Sequence, residues 1–187
     1  MRLFLALELE RATTELLALA LAPLRVSEPA IAWVPPDRLH LTLKFLGDAD
    51  ERRVVDIAGA LESIGALHHP FEMALGGVGA FPNFRRPRIV WLGVESEPRL
   101  ELLHHDLELA CAELGYDVEG RPFRPHVTLA RVRDPLPTAR ALALARAARS
   151  IAVSVMEPVE RLTLFDSTPG PAALRYRRLH AATLGGR

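Results

Sequence analysis

The tetrapeptide His40-Leu41-Thr42-Leu43 recurs, with one aliphatic exchange, as His126-Val127-Thr128-Leu129. The copies stand 86 positions apart (126 − 40), one in each half of the 187-residue chain. Prolines lead into both: Pro35-Pro36 before the first, Pro122 and Pro125 before the second. An aspartate follows each His at the same offset, Asp48 and Asp134. In an extended strand, side chains two apart point the same way. His40 and Thr42 then share one face with Leu41 and Leu43 behind them, and His126 and Thr128 share another with Val127 and Leu129 behind. A chain that writes this half-polar strand twice is expected to set the two strands facing each other across a cleft. Two imidazoles placed so can do acid–base chemistry between them.

The rest of the chain is expected to fold around that pair as one domain, residues 1–187, made of two lobes with one motif each. The length is enough to bury a core without staples. Equal numbers of basic and acidic residues, 23 each, argue against gripping long nucleic acid through many phosphates. The single cysteine, Cys111, lies in an apolar stretch and reads as a buried, inert thiol. The opening Met1–Glu8 run is too short for a secretory h-region or a membrane span, so a cytoplasmic protein is expected, and a monomer.

Periodicity predicts strands at 2–8, 31–34, 39–46, 71–78, 89–94, 126–132, 151–156, 159–165 and 174–183. It predicts helices at 10–24, after Asp48 or Asp50, at 98–114 and at 138–150. Val54, Val55, Ala58 and Leu61 are the expected apolar face of the second helix, and Leu102, Leu103, Leu107, Ala110 and Leu114 that of the third. Residues 79–88, with two prolines, an Asn and three arginines, read as a loop, and 166–171 as a turn. Strands outnumber helices and do not alternate with them, so the fold class is α+β: bilobal, two antiparallel sheets with helices packed outside, a rough two-fold and a central cleft.

The motif segments Leu39–Gly47 and Phe123–Arg131 resemble the paired signatures of the 2H phosphoesterase superfamily. Within it the chain resembles the RNA 2′,3′-cyclic phosphodiesterase family, also called 2′-5′ RNA ligases. Arg2–Leu7, Phe81–Arg88 with Trp91-Leu92-Gly93, and Leu162–Ser167 fit that layout too. The resemblance implies hydrolysis of an RNA 2′,3′-cyclic phosphate end to a 2′-phosphate, with 2′-5′ ligation as the reverse reaction. The residues leave open which His is acid and which is base; the resemblance implies His40 as general acid and His126 as general base. Thr42 and Thr128 offer hydroxyls to the phosphate oxygens. The resemblance makes Phe45 and Arg131, five residues past each His, a nucleobase clamp. Regular alternation would put both on the wrong face, so a bulge or strand end just past each Thr is required. By the same parity Lys44 falls on the His40 face, where it could approach phosphate.

Arg85, Arg86 and Arg88 could attract an RNA end or simply be solvated. His68-His69 and His104-His105 read as exposed or capping, and His180 has no Thr partner. A catalytic zinc usually takes three protein ligands, and neither motif adds a carboxylate or thiolate on the His face, so no metal or other cofactor is expected. The expected partners are RNA ends or nucleotides with a cyclic phosphate, and no membrane. Two alternatives remain: a 2H phosphoesterase acting on ADP-ribose cyclic phosphate or RNA 3′ ends, and a non-catalytic RNA-end binder.

Overall fold

The computed structural model describes residues 1–168 and 175–185. Its strands are β1 (Arg2–Glu8), β2 (Ala32–Trp33), β3 (His40–Asp48), β4 (Phe71–Phe81), β5 (Ile89–Val94), β6 (His126–Arg131), β7 (Ser154–Val159), β8 (Arg161–Thr168) and β9 (Arg175–Thr183). Its helices are α1 (Arg11–Ala20), α2 (Ala22–Ser27), α3 (Arg53–Leu67), α4 (Pro98–Glu113) and α5 (Thr138–Ser150), with a 3₁₀ turn at Pro36–Arg38. The fold is α+β.

All strand pairings among the described residues are antiparallel, and the sheet runs β7-β4-β5-β6-β3-β1-β8-β9 with β2 on β6. The two expected sheets are thus two halves of one sheet, β7-β4-β5-β6 and β9-β8-β1-β3, matched strand for strand about its middle. They join where β3 meets β6, at the pair Leu41–Val127. Both residues are fully buried, which at ordinary transfer values is worth ~1.5–3 kcal/mol each.

Leu41, Leu43, Val127 and Leu129 belong to one core cluster to which all five helices contribute, for example Leu17, Leu24, Leu61, Leu103 and Leu144. Helices therefore back the apolar face of the motif strands, as their alternation requires. The polar face carries a separate small cluster, Phe4, Ala6 and Phe165 with Tyr176 against it.

Several local expectations shift. The predicted helix over 10–24 is two helices: Leu21 closes α1, and Pro23 sits in the first turn of α2, where its missing N–H costs nothing. Leu61 is buried as expected, but Val55 is 75% exposed, and Ile57 and Ile64 join Leu61 in the buried stripe of α3. That set follows the i, i+4, i+7 spacing of one helical stripe. Leu102 likewise points outward while Leu100, Leu103, Leu107 and Cys111 face in. Pro158 lies inside β7 rather than ending a strand, which is tolerated because β7 is an edge of the sheet. Strand β4 runs on to Phe81, so the central loop is shorter, 82–88. β8 extends through Thr168, replacing the start of the predicted turn; the remainder of that turn, and Leu174, lie outside the described residues.

Candidate active site

The Leu41–Val127 pair sets the register of the two motifs. One residue further along each strand, His40 falls beside Thr128, and His126 beside Thr42. Each His thus neighbours the Thr of the other copy, so four polar side chains converge on one patch at the middle of the sheet. All four are half-buried.

The two imidazoles are held in the same way. His40 Nδ1–H donates to the Arg38 carbonyl at 2.7 Å, and His126 Nδ1–H donates to the Arg124 carbonyl at 2.7 Å. A hydrogen bond at Nδ1 fixes the ring and leaves Nε2 as the nitrogen available for proton transfer. In each copy the carbonyl two residues upstream meets its own His; before β3 that carbonyl ends the 3₁₀ turn Pro36–Arg38.

Both strands then break alternation at the same place. In the β1–β3 ladder Leu5 pairs with Lys44 and Ala6 with Thr42, leaving Leu43 as the extra residue. In the β5–β6 ladder Val90 pairs with Ala130 and Trp91 with Thr128, leaving Leu129 extra. Each copy therefore carries a bulge immediately after its Thr, with two successive inward residues, Leu43-Lys44 and Leu129-Ala130. The next residue in each, Phe45 or Arg131, returns outward; Phe45 is 68% exposed and Arg131 is exposed. This is the break in alternation that their offset of five demands.

The same bulge overturns the expectation for Lys44. Its ammonium is on the helix side, 2.7 Å from Glu108 Oε2 on α4 and 2.8 Å from the Asp117 carbonyl, and both side chains of the ion pair are nearly inaccessible. Lys44 cannot reach a phosphate on the His face.

Aromatic residues wall the platform, and reading by motif misses most of them. Phe4 and Tyr176 lie 5.2 Å from the His40 ring, Tyr176 edge-on, while Phe4 stacks on Phe165 and lies 6.1 Å from Phe45. Phe81 meets His126 edge-on at 5.1 Å and leans on Trp91. Trp91 covers Gly79 so closely that a Cβ there would stand 2.1 Å from its ring. The available signal is the parity of β1: Phe4, Ala6 and Glu8 alternate against the core residues Leu3, Leu5 and Leu7. Glu8 is paired in register with His40 and accepts hydrogen bonds from Thr163 and, at 2.6 Å, from Arg178.

Burial holds the His40 pKa below that of free histidine; the Arg38 carbonyl and Glu8 oppose this, and the positive charge of Arg131 reinforces it. Arg131, from the second motif, thus acts electrostatically on the His of the first. The other histidines lie elsewhere. His68 is buried rather than exposed, its Nε2 2.9 Å from Asp106 Oδ2; His104 stacks on Phe123; His180 meets Glu62. Among the described residues no group of three or more His, Cys, Asp or Glu side chains could hold a metal ion. No helix among them is long and apolar enough to cross a membrane. Burial pushes the Cys111 thiol up to about 11, in keeping with an inert core cysteine.

The sequence pattern of the 2′-5′ RNA ligase superfamily matches residues 14–167, a stretch that contains both motifs. The chain belongs to the 2′-5′ RNA ligase superfamily. Relatives carrying the name RNA 2′,3′-cyclic phosphodiesterase include one from Methanothermobacter thermautotrophicus, 34% identical over 134 residues, which is 72% of each chain. One from Thermus thermophilus is 37% identical over 144 residues, 73% of this chain and 71% of that one. A third, from Geobacillus stearothermophilus, is 40% identical over 105 residues; the match takes in 56% of this chain and only 33% of that protein. Among solved structures, a Thermus thermophilus protein superposes with a TM-score of 0.81 at 32% identity, over 100% of this chain and 99% of that one. E. coli LigT complexed with 3′-AMP superposes with a TM-score of 0.72 at 27% identity, over 98% and 97%.

Proposed function

We propose that the protein is an RNA 2′,3′-cyclic phosphodiesterase that opens the cyclic phosphate at an RNA or nucleotide end to a 2′-phosphate, without a metal. The observation that carries this reading is the crossed register, with His40 beside Thr128 and His126 beside Thr42, each ring anchored through Nδ1. A cyclic phosphate seated between the rings has one imidazole Nε2 for water and another for the leaving oxygen. His126 takes a proton from water, the resulting hydroxide oxygen bonds to phosphorus, the P–O3′ bond breaks, and His40 gives its proton to O3′. The water oxygen stays on the phosphate, which remains on O2′. Thr42 and Thr128 donate to the non-bridging oxygens, where charge redistributes in the transition state. Phe45 and Arg131 hold the base by stacking, worth ~1–3 kcal/mol and indifferent to base identity. A 5′-hydroxyl in place of water runs the reaction toward 2′-5′ ligation.

The same reading makes residues 1–187 one domain of two lobes, working as a cytoplasmic monomer on cyclic-phosphate ends. The test is incubation with 2′,3′-cyclic AMP in EDTA. Conversion to 2′-AMP is expected, and His40→Ala and His126→Ala should each lose ~10²–10⁴-fold in rate. Release of 3′-AMP, dependence on added metal, or full activity in either variant would overturn the reading.

A further inference from the structure

A hollow of about 520 Å³ opens at the 82–88 loop and is lined by Arg85, Arg86 and Arg88 with Pro82, Leu136 and Thr138 among its other walls. Its loop closes the β4–β5 hairpin at the Arg131 end of β6, where Phe81 pairs with Ile89. It leaves β4 at Phe81, whose ring touches His126, and returns at Ile89, which pairs with Arg131. The loop therefore lies at the end of the platform that carries the proposed base-stacking arginine, and the Phe81 ring reaches from it to the second histidine.

The loop is also held in shape. Asn83 Oδ1 accepts hydrogen bonds from the backbone N–H of both Arg85 and Arg86, at 2.9 and 3.2 Å. Arg88 is clamped by its N–H to the Phe81 carbonyl at 2.7 Å and by its guanidinium to the Arg133 carbonyl at 3.1 Å. Arg85 and Arg86 are left pointing to solvent. Among the described residues no carboxylate lies within ion-pair distance of Arg85, Arg86 or Arg88.

A comparable hollow of about 410 Å³ lies at the C-terminal end of β1, and its charges balance. Three carboxylates, Glu8, Glu10 and Glu160, stand among three arginines, Arg11, Arg161 and Arg178, with Arg178 paired to Glu8 and Arg11 to Glu15. A phosphodiester chain leaving the platform toward that hollow meets carboxylates and arginines in equal number. Leaving across the 82–88 loop, it meets two uncompensated guanidiniums.

We infer that Arg85 and Arg86 form a subsite for the phosphodiester backbone of the RNA on the 5′ side of the terminal nucleotide. This inference rests on the proposed function for its substrate class. The subsite lets the protein prefer an oligonucleotide end over a free cyclic nucleotide, although the molecule as a whole is neutral. Its charge is local, so a few phosphates are engaged and no base is read.

The test compares 2′,3′-cyclic AMP with a short 5′-labelled oligoribonucleotide ending in a cyclic phosphate, using Arg85→Ala/Arg86→Ala and the charge-keeping Arg85→Lys/Arg86→Lys. The alanine variant should raise KM for the oligonucleotide about tenfold and reduce the salt slope of log kcat/KM by roughly 1.4, two phosphate contacts at the single-strand value. Turnover of cyclic AMP should be unchanged, and the lysine variant should behave like the parent. Anisotropy of the labelled oligonucleotide ending in a 2′-phosphate measures the same subsite without turnover. Arginine-dependent binding without hydrolysis would sink the proposed activity and leave the subsite standing. Hydrolysis and binding of the oligonucleotide that ignore the alanine substitutions, or an equal loss on cyclic AMP, would overturn the subsite.

Discussion

His40 shows how its surroundings tune one residue. In the free protein its ring is half-buried among Phe4 and Tyr176, with Arg131 close enough to act on it, and all of this favours the neutral imidazole. An acid must carry a proton, so the proposed role requires the anionic cyclic phosphate to raise the His40 pKa when it binds. The pH profiles should therefore separate. The basic limb of kcat/KM, which reports the free protein, should fall as pH rises through a His40 pKa below the ordinary histidine value. The basic limb of kcat, which reports the complex, should lie at higher pH. Superimposed basic limbs would assign the acid to another group.

The bulge is the decisive element. It turns Leu43 and Lys44 inward together and lets Phe45 out, and the twin bulge at Leu129-Ala130 does the same for Arg131. In β3 the inward Lys44 is secured by Glu108 of α4, whose Oε2 also accepts from the Glu119 N–H. Removing one partner of so buried a pair leaves the other charged without a counter-ion, at a cost of ~3–5 kcal/mol, whereas replacing both can be nearly neutral. Lys44→Met should lower stability by about that amount in urea melts, and Lys44→Met/Glu108→Leu should recover most of it. A single variant as stable as the parent would show that the ion pair does not secure this strand.

For the molecule as a whole, the junction between halves is narrow. β3 and β6 share the single pair Leu41–Val127, with the core beneath it drawn from all five helices. One core under both halves should make them unfold together. Leu41→Ala should destabilise by ~2–5 kcal/mol, and hydrogen exchange should show β1 and β4 amides losing protection in parallel. Loss confined to β1 would mean that the halves unfold as separate units.

What the chain determines by itself is local. Side-chain parity made His40, Thr42, His126 and Thr128 legible as two polar pairs, and it made the fold class and most strands legible with them. Only the resemblance that makes Phe45 and Arg131 a base clamp added that alternation must fail after each Thr. Tertiary structure decided what depends on partners distant in sequence. These are the register that crosses each His with the other Thr, the burial of Lys44 against Glu108, the aromatic wall from β1 and β9, and the union of the two sheets into one. A bulge moves one residue of one strand against another, and only the neighbouring strand shows where. Parity read along Lys44 alone therefore points to the wrong face, while the pairings of β1 and β5 point to the right one.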